Sequence, residues 1–199
     1  MADETKQDAR ILRGLQTKRK LQDAFIEIYA STPIEKISIR QITDRAHLNR
    51  GTFYIHFSDI YDMRDKIVGE FAEQIELRRG KAVSEVFGKG NLSSVLPDES
   101  FYRENEKYLK VLLCIPGKSD LGTYMKAAIE RTLEDALQER GGKDSPYRTF
   151  ALEYFASAVV GVITRWVADG MQVPLASLSD EVARMSREGV VGYLLETGR

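Results

Sequence analysis

Cysteine is nearly missing from this chain of 199 residues. The one present, Cys114, cannot close an internal disulfide, which suits a reducing cytoplasm. Histidine is almost as scarce. His47 and His56 sit close together, and no Cys/His/Asp grouping has the spacing of a metal site. No glycine-rich phosphate loop follows a strand, and there is no nucleophile elbow, so neither an enzyme nor a cofactor is expected. Apolar runs stop short of the roughly 20 residues of a membrane span. The opening stretch is polar, so no secretion signal is expected. The prolines (Pro33, Pro97, Pro116, Pro146, Pro174) fall at natural breaks, and alternation with hairpin turns is hard to find. These gaps leave an all-α fold.

What remains is ordinary globular material, 43% apolar and 30% charged, with a net charge of −1. That near-neutral total hides an asymmetry. Residues 10–56 carry nine Lys/Arg against four Asp/Glu, a local +5, while residues 57–199 carry 19 against 23, a local −4. A basic module on an acidic body fits a polyanion touched by one end only. The spacing divides the chain at 10–57 and 58–199.

From about Gln16 to Ala30, Leu21, Ala24, Phe25, Ile28 and Tyr29 recur at helical spacing, and Pro33 stops the run. Ser38 and Gln41 form a capping box for a short helix with Ile39, Ile42 and Ala46 on its inner face. His47-Leu48-Asn49 is a turn, Asn49 an N-cap, and the next helix ends near His56. Ser58 is expected to cap a longer helix running to about Phe87. Gly88–Asp98 is a break. Helices are expected at about 99–114, 120–140 and 147–170, with a last one at 180–196 capped by Ser179.

Two short helices joined by a tight turn are the geometry of a helix-turn-helix, whose second helix enters the major groove. Arg50 is the sharpest base reader, because a guanidinium bonds guanine O6 and N7 together. Thr52 suits a base edge or a thymine methyl. Tyr54 and His56 suit phosphate oxygens, and Ser38 and Arg40 suit the backbone and flanking groove. Phe53 and Phe57 read better as core, and Asn49 equally well as nothing more than a cap.

The run Ile37-Ser38-Ile39-Arg40-Gln41-Ile42-Thr43 through Thr52-Phe53-Tyr54-Ile55-His56-Phe57 closely resembles the head of the tetracycline-repressor (TetR) family. That resemblance covers roughly residues 15–65. It implies a bacterial cytoplasmic regulator, associated with the nucleoid. An N-terminal three-helix DNA-binding head would join a C-terminal regulatory and dimerisation body. The homodimer would bind a palindromic double-stranded operator, usually as a repressor released by a small-molecule inducer. Carried over position by position, Ser38, Arg40, Asn49, Arg50, Thr52, Tyr54 and His56 form the DNA-facing set. The family's turn usually has glycine where this chain has His47. Its fourth helix often starts with a phosphate-clamping lysine, where this chain has Ser58-Asp59-Ile60-Tyr61-Asp62. One backbone contact is therefore expected to be missing. Tyr61-Asp62 resembles a subgroup that includes regulators of dihydroxyacetone kinase operons, some of which are coactivators working through a protein partner.

In the body, small residues between Ala151 and Ala168 allow close approach of another helix. Together with the last helix they are the candidates for a two-fold four-helix interface, where the resemblance also places dimerisation, through Ser157, Gly161, Ile163, Val182, Met185, Val190 and Leu194; core within one chain is the other reading. Phe71, Tyr102, Tyr108, Leu112, Tyr124, Phe150 and Tyr154 are the candidates for the ligand cavity that the resemblance implies; each reads better as plain core. No membrane partner is expected.

Overall fold

The computed structural model describes residues 2–79, 96–139, 141 and 145–189. Every regular element among them is helical. The chain divides into two compact units, Met1–Gly69 and Glu70–Arg199.

The first unit opens with α1 (Ala2–Tyr29), longer at its start than the apolar periodicity suggested. Its second half is the anchored part. Leu21, Ala24, Phe25, Ile26 and Tyr29 are buried, whereas Ile11, Leu12 and Leu15 are exposed. Phe25 and Tyr29 stack at 4.9 Å. After Pro33 comes a 3-10 turn (Ile34–Lys36), then α2 (Ile39–Ala46) and α3 (Arg50–His56). The expected capping box is formed. Ser38 Oγ accepts from Gln41 N–H at 3.3 Å, and Gln41 Oε1 accepts from Ser38 N–H at 2.8 Å. Ile34, Ile37, Ile42, Phe53, Phe57, Met63 and Ile67 close the core behind α2 and α3.

Helix α4 (Ile60–Arg79) begins in this unit and continues into the second. Its cap differs from expectation. Asp59, not Ser58, accepts the Asp62 N–H at 2.8 Å, while Ser58 donates its own N–H to Asp62 Oδ2 at 2.9 Å. A carboxylate at the N-cap outcompetes the hydroxyl before it, since it also faces the positive end of the helix dipole.

In the second unit, the single helix expected at 99–114 is two, α5 (Glu99–Glu104) and α6 (Glu106–Leu112). Asn105 breaks them: its φ/ψ of −112°/14° leaves the helical region, and its side chain donates to the Phe101 carbonyl at 2.8 Å. Then come α7 (Leu121–Glu139), α8 (Arg148–Ala168) and α9 (Leu175–Glu188). Helix α9 starts five residues before its expected start at 180. Ser179 is therefore buried inside it and caps nothing. The Leu175 N–H is satisfied at 2.8 Å by the Glu99 carboxylate from α5. That N–H bond and the neighbouring Arg103 hold the Glu99 carboxyl below the ordinary glutamate range.

Helix α8 departs from expectation in another way. It is long and apolar enough to cross a bilayer, yet only 28% of its most apolar stretch is buried. One face packs in the unit through Ala156, Val159, Ile163, Trp166 and Val167. The other face, carrying Ala151, Tyr154, Ala158, Gly161 and Ala168, lies open.

Candidate nucleic-acid interface

The seven residues of α3 divide by helical geometry. Phe53 and the following Phe57 are buried, their rings 5.6 Å apart, and they fix the inner face. Gly51 and Ile55 lie almost opposite, and Ile55 is 77% exposed. Arg50 and Tyr54 share a third flank one turn apart. Both are exposed, Tyr54 at 49%. Arg50 Nη2 donates to Tyr54 Oη at 3.1 Å, and its guanidinium carbon lies 5.7 Å from the tyrosine ring centre. The bond and the ring contact hold the two exposed side chains together on one flank of the helix.

Asn49 caps the helix. Its Oδ1 accepts from Thr52 N–H at 2.8 Å and from Thr52 Oγ1 at 3.0 Å. The Thr52 proton is thus engaged, leaving its lone pairs and methyl as outward features. A Cβ at Gly51 would stand 3.2 Å from Asn49 Oδ1, so glycine spares the cap acceptor. The turn before it runs through His47 at φ 55°, ψ 44°, the left-handed region. His47 thus adopts the backbone that a glycine would take with less strain. His47 N–H bonds the Asp44 carbonyl at 3.3 Å, and Leu48 N–H bonds the Thr43 carbonyl at 2.9 Å, closing α2 so that α3 can leave at an angle.

Ser38 and Arg40 open α2 on the exposed surface. Arg40 is held 3.4 Å from Asp44, and Arg45 bonds Glu27 of α1 at 3.1 Å. Both pairs are solvent-exposed and worth no more than about 1 kcal/mol each, so a phosphate can replace their acids at little cost. His56 is half-buried at the end of α3. Burial, with the charges of Lys18 and Lys66, pushes its imidazole below the ordinary histidine value. All seven DNA-facing candidates therefore lie on α2, α3 or their caps. Two neighbours carried no sequence signal: Ile55, an apolar residue facing outward, and Lys66, which reaches back from α4.

The body's predicted residues part company. Phe71, Tyr102, Tyr108 and Leu112 are buried. Phe71 packs on Tyr108 at 5.7 Å and on Phe101 at 6.0 Å, and Tyr102 meets Trp166 at 5.4 Å. Tyr124, Phe150 and Tyr154 are more than half exposed. They share no lining with the buried four, because 150 and 154 fall on the open side of α8. Instead Tyr154, Ser157, Gly161, Val182 and Met185 line an apolar groove of about 680 Å³ between α8 and α9. Ile163 lies apart from it, buried at 2% exposure. Two positions beyond Gly161, it points around the helix into the core. Val190 and Leu194 lie outside the described residues.

No curated protein matches the chain. Among solved structures it resembles the dihydroxyacetone kinase operon activator DhaS, at TM-score 0.55 and 19% identity over 85% of this chain and 93% of that one. It also resembles the fatty acid degradation regulator FadR from Bacillus halodurans, at TM-score 0.56 and 16% identity over 87% and 95%. These likenesses show a shared fold. Residues 100–188 match a TetR-type family model, that of a transcriptional regulator C-terminal region. In this chain a helix-turn-helix head precedes that matched region, which is similar to the C-terminal region of TetR-type transcriptional regulators.

Proposed function

We propose that this chain is a transcriptional regulator that binds a two-fold operator as a homodimer, with α3 of each copy in the major groove, and acts as a repressor released through its body. The observation that supports this most is the outer surface of α3. Arg50 and Tyr54 are exposed and bonded to each other, while Phe53 and Phe57 hold the helix from behind. Pairing is supported by α8. Gly161 stands in mid-helix, where glycine costs about 1 kcal/mol against alanine. A Cβ added there would meet nothing within 4 Å of its own chain. A second copy seated on the groove, approaching closely at Gly161, gives that glycine and the open apolar face a purpose.

How release is triggered has two readings. A small inducer follows from the resemblance. A protein partner acting on the body is favoured by the packing of Phe71, Tyr102, Tyr108 and Trp166, whose rings fill space that a ligand would need. The structural likeness to an operon activator is compatible with that second reading.

Selection from random duplexes tests the DNA assignment. Wild-type protein is expected to enrich a two-fold site. Arg50→Ala is expected to lose discrimination at one base pair per half-site, at a cost of about 1–3 kcal/mol. An unchanged preferred site in Arg50→Ala would remove Arg50 as reader, and no enrichment by wild type would remove the function.

A further inference from the structure

Helix α3 is only seven residues long and keeps its outer surface clear, so few groups are left to hold it. Its N-terminal end is tied down by the Asn49 cap. At the other end, the last carbonyls of a helix lack partners within it. The Phe53 carbonyl is met by Phe57 N–H at 3.0 Å. The His56 carbonyl is met by Lys66 Nζ at 3.1 Å, from the second turn of α4. The same ammonium bonds Asp62 Oδ2 at 2.9 Å and lies 5.6 Å from the Phe57 ring centre. Asp62 Oδ2 in turn accepts the Ser58 N–H at 2.9 Å, in the link between the two helices. One cation thus joins the negative end of α3, the first turn of α4 and the linking backbone. Lys66 and the Ser58 N–H also hold the Asp62 carboxyl below the ordinary aspartate range.

Such a tie bears on recognition. Arg50 and His56 stand about 9 Å apart along the helix. A tilt of about 10° shifts one end against the other by about 1.5 Å, more than a hydrogen bond to a base edge tolerates. We propose that Lys66 is a positioning residue for the reader: with Asp62 it clasps the C-terminal end of α3 to α4, and so sets the angle at which α3 meets the duplex. This rests on the assignment of α3 as the DNA reader.

The test measures affinity of the full chain for its selected duplex over a range of salt, with melting temperature recorded in parallel. Lys66→Gln is expected to weaken binding about two- to fivefold. The factor should be equal at every salt concentration, with the salt slope and the melting temperature unchanged. Lys66→Arg keeps a cationic donor and is expected to recover most of the loss. Asp62→Ala separates clasp from charge: it makes the head more basic, so simple attraction to phosphate would tighten binding, whereas the clasp requires weaker binding. A salt slope reduced by about 1 in Lys66→Gln would make Lys66 a phosphate contact instead. Unaltered affinity in Lys66→Gln, or tighter binding in Asp62→Ala, would overturn the clasp. If wild type bound no duplex, the DNA assignment would fall first. Amide exchange would then judge the clasp alone. Faster exchange at Phe57 N–H in Lys66→Gln, at unchanged melting temperature, supports it, and unchanged exchange rejects it.

Discussion

At the residue scale, chemical type was enough to propose the readers but not to find what each side chain bonds. Arg50 and Tyr54 stand one turn apart in the sequence, so a shared flank was legible; the 3.1 Å bond between them needed coordinates. Lys66 was invisible because its role depends on the fold-back of α4 towards the His56 carbonyl, ten positions away. The lysine expected at the start of α4 is missing there, and the one in its second turn serves the protein's own backbone. His56 provides a prediction at this scale. Its pKa is lowered by burial, Lys18 and Lys66. The folded head therefore binds this proton less readily than the unfolded chain. The stabilisation is complete above the ordinary histidine value of about 6.5 and is lost as pH falls through the folded value. A phosphate docked against His56 would favour the imidazolium and raise its pKa again, so operator binding takes up a proton. Affinity is expected to rise as pH is lowered from about 7.5 to 6, and the rise to vanish in His56→Gln. Fluorescence anisotropy across that range checks it; an identical profile in the variant would contradict the contact.

At the element scale, local signals worked where caps were local. Ser38 with Gln41, and Asn49 with Thr52, satisfy N–H groups three residues on, and both starts were readable from residue types. The start of α9 was not, because its cap is Glu99, 76 positions earlier in the chain. With that acceptor unseen, Ser179 was the natural candidate. Asn105 misled in the same manner: an asparagine can continue a helix or break it, and here its side chain takes the Phe101 carbonyl. The turn between α2 and α3 carries the prediction here. His47 pays for a left-handed backbone that glycine adopts freely. His47→Gly is expected to stabilise the head by up to about 1 kcal/mol, the relief of strain being partly offset by a freer unfolded chain. Urea denaturation checks this, and destabilisation by the glycine would mean the imidazole contributes contacts at the turn.

At the scale of the whole molecule, composition showed a basic end and an acidic end, and helical spacing showed where the cores lie. It did not separate the buried face from the open face of α8, whose apolar residues run round the helix. Burial separates them: Ile163 faces inward, while Tyr154, Ala158 and Gly161 face out. The aromatic positions of the body were equally ambiguous, since Phe71 and Phe150 differ in surroundings rather than in type. The proposed function needs both a reader helix and a scaffold that presents it twice. A single head makes too few contacts for a specific site. Gly161→Asp tests that dependence, because its side chain has room in the protomer but places a charge where a second copy would sit.

Sedimentation equilibrium of the chain with its selected duplex, for wild type and Gly161→Asp, is the most direct measurement. Two chains on each duplex are predicted for wild type, and for the variant a folded monomer that no longer holds the site. One chain per duplex in wild type, or a variant that stays monomeric and still binds with undiminished affinity, would contradict the account.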